Sequence, residues 1–81
     1  MLSKYISSAM RKAKYEILQE DNSYYGEIPG FSGVYSNADS LEKCRDGLEE
    51  VLEEWLLFRI SRNLSVPIID GISLKIKKVS V

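Results

Sequence analysis

Residues 24–35, Tyr-Tyr-Gly-Glu-Ile-Pro-Gly-Phe-Ser-Gly-Val-Tyr, leave the backbone few choices. Pro29 has no N–H to give a sheet ladder, so a strand through Tyr24 to Ile28 must stop there or lie on an unpaired edge. Gly30 and Gly33 bracket a tight connection, and Val34-Tyr35-Ser36 resumes as a short strand. Upstream, Tyr15-Glu16-Ile17-Leu18-Gln19 reads as a strand and Asp21-Asn22-Ser23 as a polar turn, which makes a hairpin with the tyrosine strand. Downstream, Asp39 and Glu42 are three apart, the spacing of an N-cap and its capping-box partner. The helix they open is predicted to run to about Asn63, with Arg59 and Arg62 at the negative end of its dipole and Pro67 barring continuation.

Periodicity supplies the other elements. Leu2, Tyr5, Ile6, Ala9, Met10 and Ala13 recur at the spacing of one helix face, predicting a first helix of about three turns. In the long helix Leu41, Cys44, Leu48, Val51, Leu52, Trp55 and Phe58 form one apolar stripe. Ile72, Leu74 and Ile76 alternate with Ser73, Lys75 and Lys77, predicting a final strand with one wet face. The order is α-β-β-β-α-β: an α+β fold in which helices pack on one face of an antiparallel sheet. Eighty-one residues make one domain, expected to span 1–81. So short a chain buries only about 60% of its unfolded surface, which makes association useful.

Composition narrows the function. At 44% apolar and 28% charged residues the chain suits a globular domain, and its longest apolar cluster, Trp55-Leu56-Leu57-Phe58, is too short for a membrane span. Residues 1–14 mix cations through their length and do not read as a signal peptide. One cysteine, Cys44, forbids an intrachain disulfide and suits a reducing, cytoplasmic setting. Charge is unevenly placed: residues 15–58 carry eleven carboxylates against Lys43 and Arg45, a balance of −9, while residues 1–14 and 59–81 each balance at +4. An acidic middle is the wrong field for a polyphosphate and a suitable one for a basic protein.

Nothing in the sequence points to an enzyme. Histidine is absent, which removes the commonest general base and metal ligand. Cys44 lies on the apolar stripe and reads as a small core side chain, and no serine has a base motif beside it. Glu49/Glu53 and Glu50/Glu54 are i, i+4 pairs that read as a solvated helix face and not as magnesium ligands. Gly30-x-x-Gly33 lacks the Gly-Lys-Ser/Thr of a phosphate loop and is a turn. Neither a metal nor a cofactor is expected. The long helix carries Leu57 and Ile60 in the sector of its acidic residues, with Leu56 at the margin. Apolar groups nearly all round a helix end suit a contact with a second copy, so Leu56, Leu57 and Ile60 are candidate interface residues of a dimer or higher oligomer. Gly47 costs about 1 kcal/mol relative to alanine in a helix, which suits a close approach of another backbone.

The tyrosine-rich strand into Pro29, Gly30-x-x-Gly33, the short strand and the capped acidic helix resemble the HicB-like antitoxin family over residues 14–60. The resemblance implies a partial RNase H-like arrangement without nuclease carboxylates, acting as a non-enzymatic antitoxin module. The implied partner is a small basic HicA-like toxin, an mRNA interferase of double-stranded-RNA-binding fold, neutralised by covering its active surface. Many such proteins carry a C-terminal DNA-binding module; nothing after Pro67 here could form one, so DNA binding is not expected of this chain. On this view Glu42, Asp46, Glu49 and Glu53 attract the partner, and Tyr25, Glu27 and Phe31 mark a contact edge. A homo-oligomeric structural or regulatory module is the alternative. An RNA-binding domain is a third, suggested by the element order and basic ends and opposed by the acidic middle.

Overall fold

A computed structural model describes residues 2–74. The elements run α1 (Leu2–Arg11), β1 (Lys14–Ile17), β2 (Tyr24–Glu27), β3 (Tyr35–Ala38) and α2 (Leu41–Ser61), an α+β arrangement with two helices and a three-stranded antiparallel sheet in the order β1-β2-β3. The final strand expected from residue 72 onward lies mostly outside the described residues; of its three apolar positions, Ile72 makes an isolated bridge with Ile69 and Leu74 packs against the core.

The hairpin closes through Asn22 in the left-handed region (φ 57). The Ser23 amide donates to Asp21 Oδ1 at 3.0 Å, an Asx turn, and the Ser23 side chain first, then this amide, hold the Asp21 carboxyl below its usual range. Register pairs Lys14, Tyr15, Glu16 and Ile17 with Glu27, Gly26, Tyr25 and Tyr24, and Tyr24 to Glu27 with Ala38 to Tyr35. Directly opposed residues share a face. Tyr15, Gly26 and Ser36 therefore look toward α2, while Lys14, Glu16, Tyr25, Glu27, Tyr35 and Asn37 look away.

Helix α2 starts one residue later than the spacing predicted. Ser40, extended at φ −139 and ψ 157, accepts the Lys43 amide on its side chain and is the N-cap. Asp39 precedes it and instead pairs with Lys43 Nζ at 3.3 Å; Glu42 still favours the positive end of the dipole. At the other end Asn63 takes φ 56. The Leu64 amide reaches the Arg59 carbonyl at 2.8 Å and the Asn63 amide reaches that of Ile60 at 3.1 Å, a Schellman closure.

The apolar stripe runs Cys44, Leu48, Leu52 and Leu56, all buried, which departs from expectation at both ends. Leu41 and Phe58 are exposed and Leu56 is only 1% exposed. Leu41 comes before the first sheet contact at Cys44, and the later turns of α2 pack on α1 and on residues 28–34. Gly47 answers to a contact within the chain: a Cβ there would lie 2.7 Å from Ser36 Oγ on β3. Gly26 is the tighter case, since its Cβ would meet the Tyr15 ring at 2.7 Å and Cys44 Sγ at 3.2 Å. Gly26→Ala is therefore expected to cost about 1–3 kcal/mol by overpacking, read as a lower thermal midpoint, with Gly33→Ala, at φ 89, as a comparison governed by strain alone.

The core gathers Tyr5, Ala9 and Met10 from α1, Ile28, Phe31 and Val34 from the turn, Leu48, Leu52 and Leu56 from α2, and Ile69. Helix α1 lies against α2 and the turn, not against the strands. Its Tyr5 hydroxyl donates to the Pro67 carbonyl, and Lys12 Nζ meets Asp70 Oδ1 at 2.9 Å. Asp70 (φ 49) and Gly71 (φ 76) make the two-residue turn that pairs Ile69 with Ile72, the mirror-image type that Asp-Gly favours. Lys12 holds the Asp70 carboxyl below its usual range. A depressed carboxylate pKa contributes stability above its unfolded value, and that contribution is lost on acidification.

Candidate protein-binding surface

The outward face of the sheet has no layer over it among the described residues. Cross-strand register sets two rows on it: Lys14, Glu27 and Tyr35, then Glu16, Tyr25 and Asn37. The diagonal pair Tyr25 and Tyr35 stacks, with ring centroids 6.2 Å apart and planes 25° from parallel. Loss of solvent around the ring first, then the neighbouring Glu27, Tyr35 and Glu16, push the Tyr25 phenol above its ordinary pKa.

Beside the stacked rings lies a hollow of about 400 Å³, walled by Tyr25, Glu27, Tyr35 and the turn at residues 28–34. That turn is stiff. Ile28, Phe31 and Val34 plug into the core, the Phe31 amide bonds to the Ile28 carbonyl at 3.1 Å and the Val34 amide to the Phe31 carbonyl at 3.2 Å. Gly30 and Gly33 supply the positive φ values (87 and 89) such a path requires. A preformed hollow lined by two tyrosine rings and the Glu27 carboxylate can accept a cationic side chain, by stacking and by ion pairing together.

The candidate residues do not converge on one surface. Tyr25 and Glu27 stand together on the sheet's outer face, joined there by Glu16 and Tyr35, which sequence reasoning had not singled out as contacts. Phe31, expected on the contact edge, is 4% exposed and belongs to the core, because the turn folds inward around it against Tyr5 and Trp55. Glu42, Asp46, Glu49 and Glu53 are exposed on the side of α2 turned from the sheet, so they and Tyr25 look in opposite directions. Leu56, a candidate interface residue, is a core residue. Ile60 is half-buried against that core, and Leu57 stands out at 63% exposed. The register carried the signal for Glu16 and Tyr35: a hairpin centred on the polar turn at residues 21–23 puts Glu16 beside Tyr25.

Among the described residues no three His, Cys, Asp or Glu side chains lie close enough together to hold a metal ion, and no helix is long and apolar enough to cross a membrane. Cys44 is buried, its thiol donating to the Ser36 carbonyl at 3.5 Å.

The elements define a small α-β-β-β-α protein with one face of its three-stranded sheet uncovered among the described residues. Residues 4–67 match the UPF0150-like family, and the chain belongs to it. It is similar to the protein TTHA0281 from Thermus thermophilus, known as a crystal structure, with 38% identity, 94% of each chain covered and a TM-score of 0.86. No curated protein matches it.

Proposed function

We propose that this protein is a non-enzymatic HicB-like antitoxin module that binds and neutralises a small basic mRNA-interferase toxin of the HicA kind. The observation that carries the proposal is the outer sheet face, where Glu16, Tyr25, Glu27 and Tyr35 stand together beside the hollow. The HicB-like pattern of residues 14–60 supports it, as does the −9 balance of residues 15–58. A cationic side chain of the toxin seats between the tyrosine stack and Glu27, and the bulk of the module blocks access to the toxin's RNA site. Glu16 and Glu27 disfavour a phosphate backbone on the same face.

The test is capture of the tagged protein from its own cells, followed by purification of the partner. A stoichiometric, small, basic partner whose RNA cleavage stops when the module is added supports the reading. Recovery of this chain alone defeats it.

Self-association is the second reading, favoured by the exposure of Leu57 and Phe58 on adjacent positions of α2. The surface for a second copy would then centre on Leu57, with Ile60 behind it. Sedimentation of a Leu57→Glu variant decides this: an unchanged mass removes that surface.

A further inference from the structure

Trp55 and Arg59 are one helical turn apart on α2, so they share a face. The Trp55 indole is pinned from two sides: its Nε1 donates to the Ser32 carbonyl at 3.1 Å, and its ring meets that of Phe31 at 5.2 Å. The Arg59 guanidinium lies over the indole with its carbon 4.8 Å from the ring centroid. Its Nε donates to the Ser65 carbonyl at 2.7 Å. A stack on one face and a hydrogen bond at Nε fix both the position and the plane of the group.

What remains is the Nη edge. Among the described residues no carbonyl, hydroxyl or carboxylate accepts from either Nη, and what sets Arg59 apart from the other cations is that its stack and its Nε bond hold it in place. Arg59 lines a cleft of about 430 Å³ together with Gly30, Ser32, Trp55, Ser65, Val66 and Pro67. A helix-terminal arginine that only stabilised the dipole would need neither the stack nor the cleft.

We propose that this cleft is a carboxylate-binding site in which Arg59 is the recognising group. Two parallel N–H donors from one planar guanidinium match the two oxygens of a carboxylate. Much of the arginine's rotamer freedom is already lost on folding, so little more is lost on binding. A singly charged carboxylate suits the position better than a doubly charged phosphate, because Arg59 stands in the last turn of α2, where the helix dipole is negative. The carboxylate comes either from an acidic side chain on a polypeptide or from a small free acid. The cleft shares Gly30 and Ser32 with the hollow beside the sheet face, but its recognising groups, Trp55 and Arg59, stand on α2, and the proposal does not depend on a basic partner at the sheet.

Trp55 is the only tryptophan, so its fluorescence reports on the cleft directly, and NMR of the Arg59 side-chain nitrogens reports on the fork. The probes are a blocked Gly-Glu-Gly peptide, its Gly-Gln-Gly twin, acetate and inorganic phosphate, all at one ionic strength. Saturable binding of the glutamate peptide, without binding of the glutamine twin, supports the site. Tighter binding of that peptide than of acetate assigns the carboxylate to a polypeptide, and equal binding assigns it to a small acid. Arg59→Lys keeps the charge but loses the fork, and is expected to weaken binding about tenfold with its thermal midpoint showing the fold intact. Indifference between the peptides, tighter binding of phosphate, or wild-type affinity in Arg59→Lys would overturn the proposal.

Discussion

Leu56→Ala should melt on the order of 10–20 °C below the wild-type protein, and Leu57→Ala within a few degrees of it. The two residues are neighbours of the same chemistry in the same helix turn, so propensity and chain entropy are matched. Leu56 is enclosed in the core with Leu48 and Leu52, and truncating a buried leucine removes about 2–5 kcal/mol, part of it for the cavity left behind. A domain of 60–100 residues loses about 4–8 °C of midpoint per kcal/mol. Since small domains hold only about 5–15 kcal/mol in all, Leu56→Ala comes close to unfolding the chain. Leu57 is mostly in water and its truncation leaves no cavity. Thermal circular dichroism on both proteins is sufficient, and comparable losses in the two would mean that the helix presents a different face to the core.

The second large effect concerns Glu27. With a basic partner in hand, Glu27→Lys is expected to weaken binding at least about thirtyfold, mainly through faster dissociation, because a close charge pair becomes a like-charge contact. Glu49→Lys together with Glu53→Lys should change affinity only a few fold, through the association rate, and the change should vanish as salt rises. Both helix residues are exposed, but they face away from the sheet across the thickness of α2. A helix with its side chains is about 10–12 Å across, and the Debye length at physiological salt is about 8 Å. Surface plasmon resonance at two ionic strengths separates the rates. A larger loss from the helix pair than from Glu27 would move the contact to the other side of the molecule.

The order α-β-β-β-α was legible because each element carries a signal of its own: helical spacing of apolar residues in α1, a polar hairpin turn, a proline stop, turn glycines and a helix of six turns. The phase of α2 was less so. Counting Leu41 and Phe58 as stripe members rotated the inferred face and put Leu56 at its margin, since a sequence does not show which apolar positions at a helix's ends find a partner to pack on. The N-cap slipped by one residue because Asp39 and Ser40 are both good caps, and spacing to Glu42 favoured the wrong one; Ser40 prevails because its side chain reaches the Lys43 amide. Phe31 read as surface because it sits between turn glycines, and only the inward path of the turn buries it. The Asp70-Gly71 turn had a readable signal, an Asp-Gly pair between Ile69 and Ile72, masked by the stronger alternation that follows. The arginine cleft was readable only in part: the i, i+4 spacing of Trp55 and Arg59 is in the sequence, but Ser32 and Ser65 join it through folding alone.

The bond from Tyr5 to the Pro67 carbonyl spans 62 positions of chain, and the neighbouring pair of Lys12 with Asp70 spans nearly as many. Helix α1 leaves the ribosome well before the surfaces that receive it have been made. It therefore spends much of synthesis undocked while the hairpin and α2 consolidate, because contacts distant in sequence close after local ones. Its seat on α2 and the turn comes first, and the helix works as a latch whose last two bonds wait for the segment around Pro67 and Asp70.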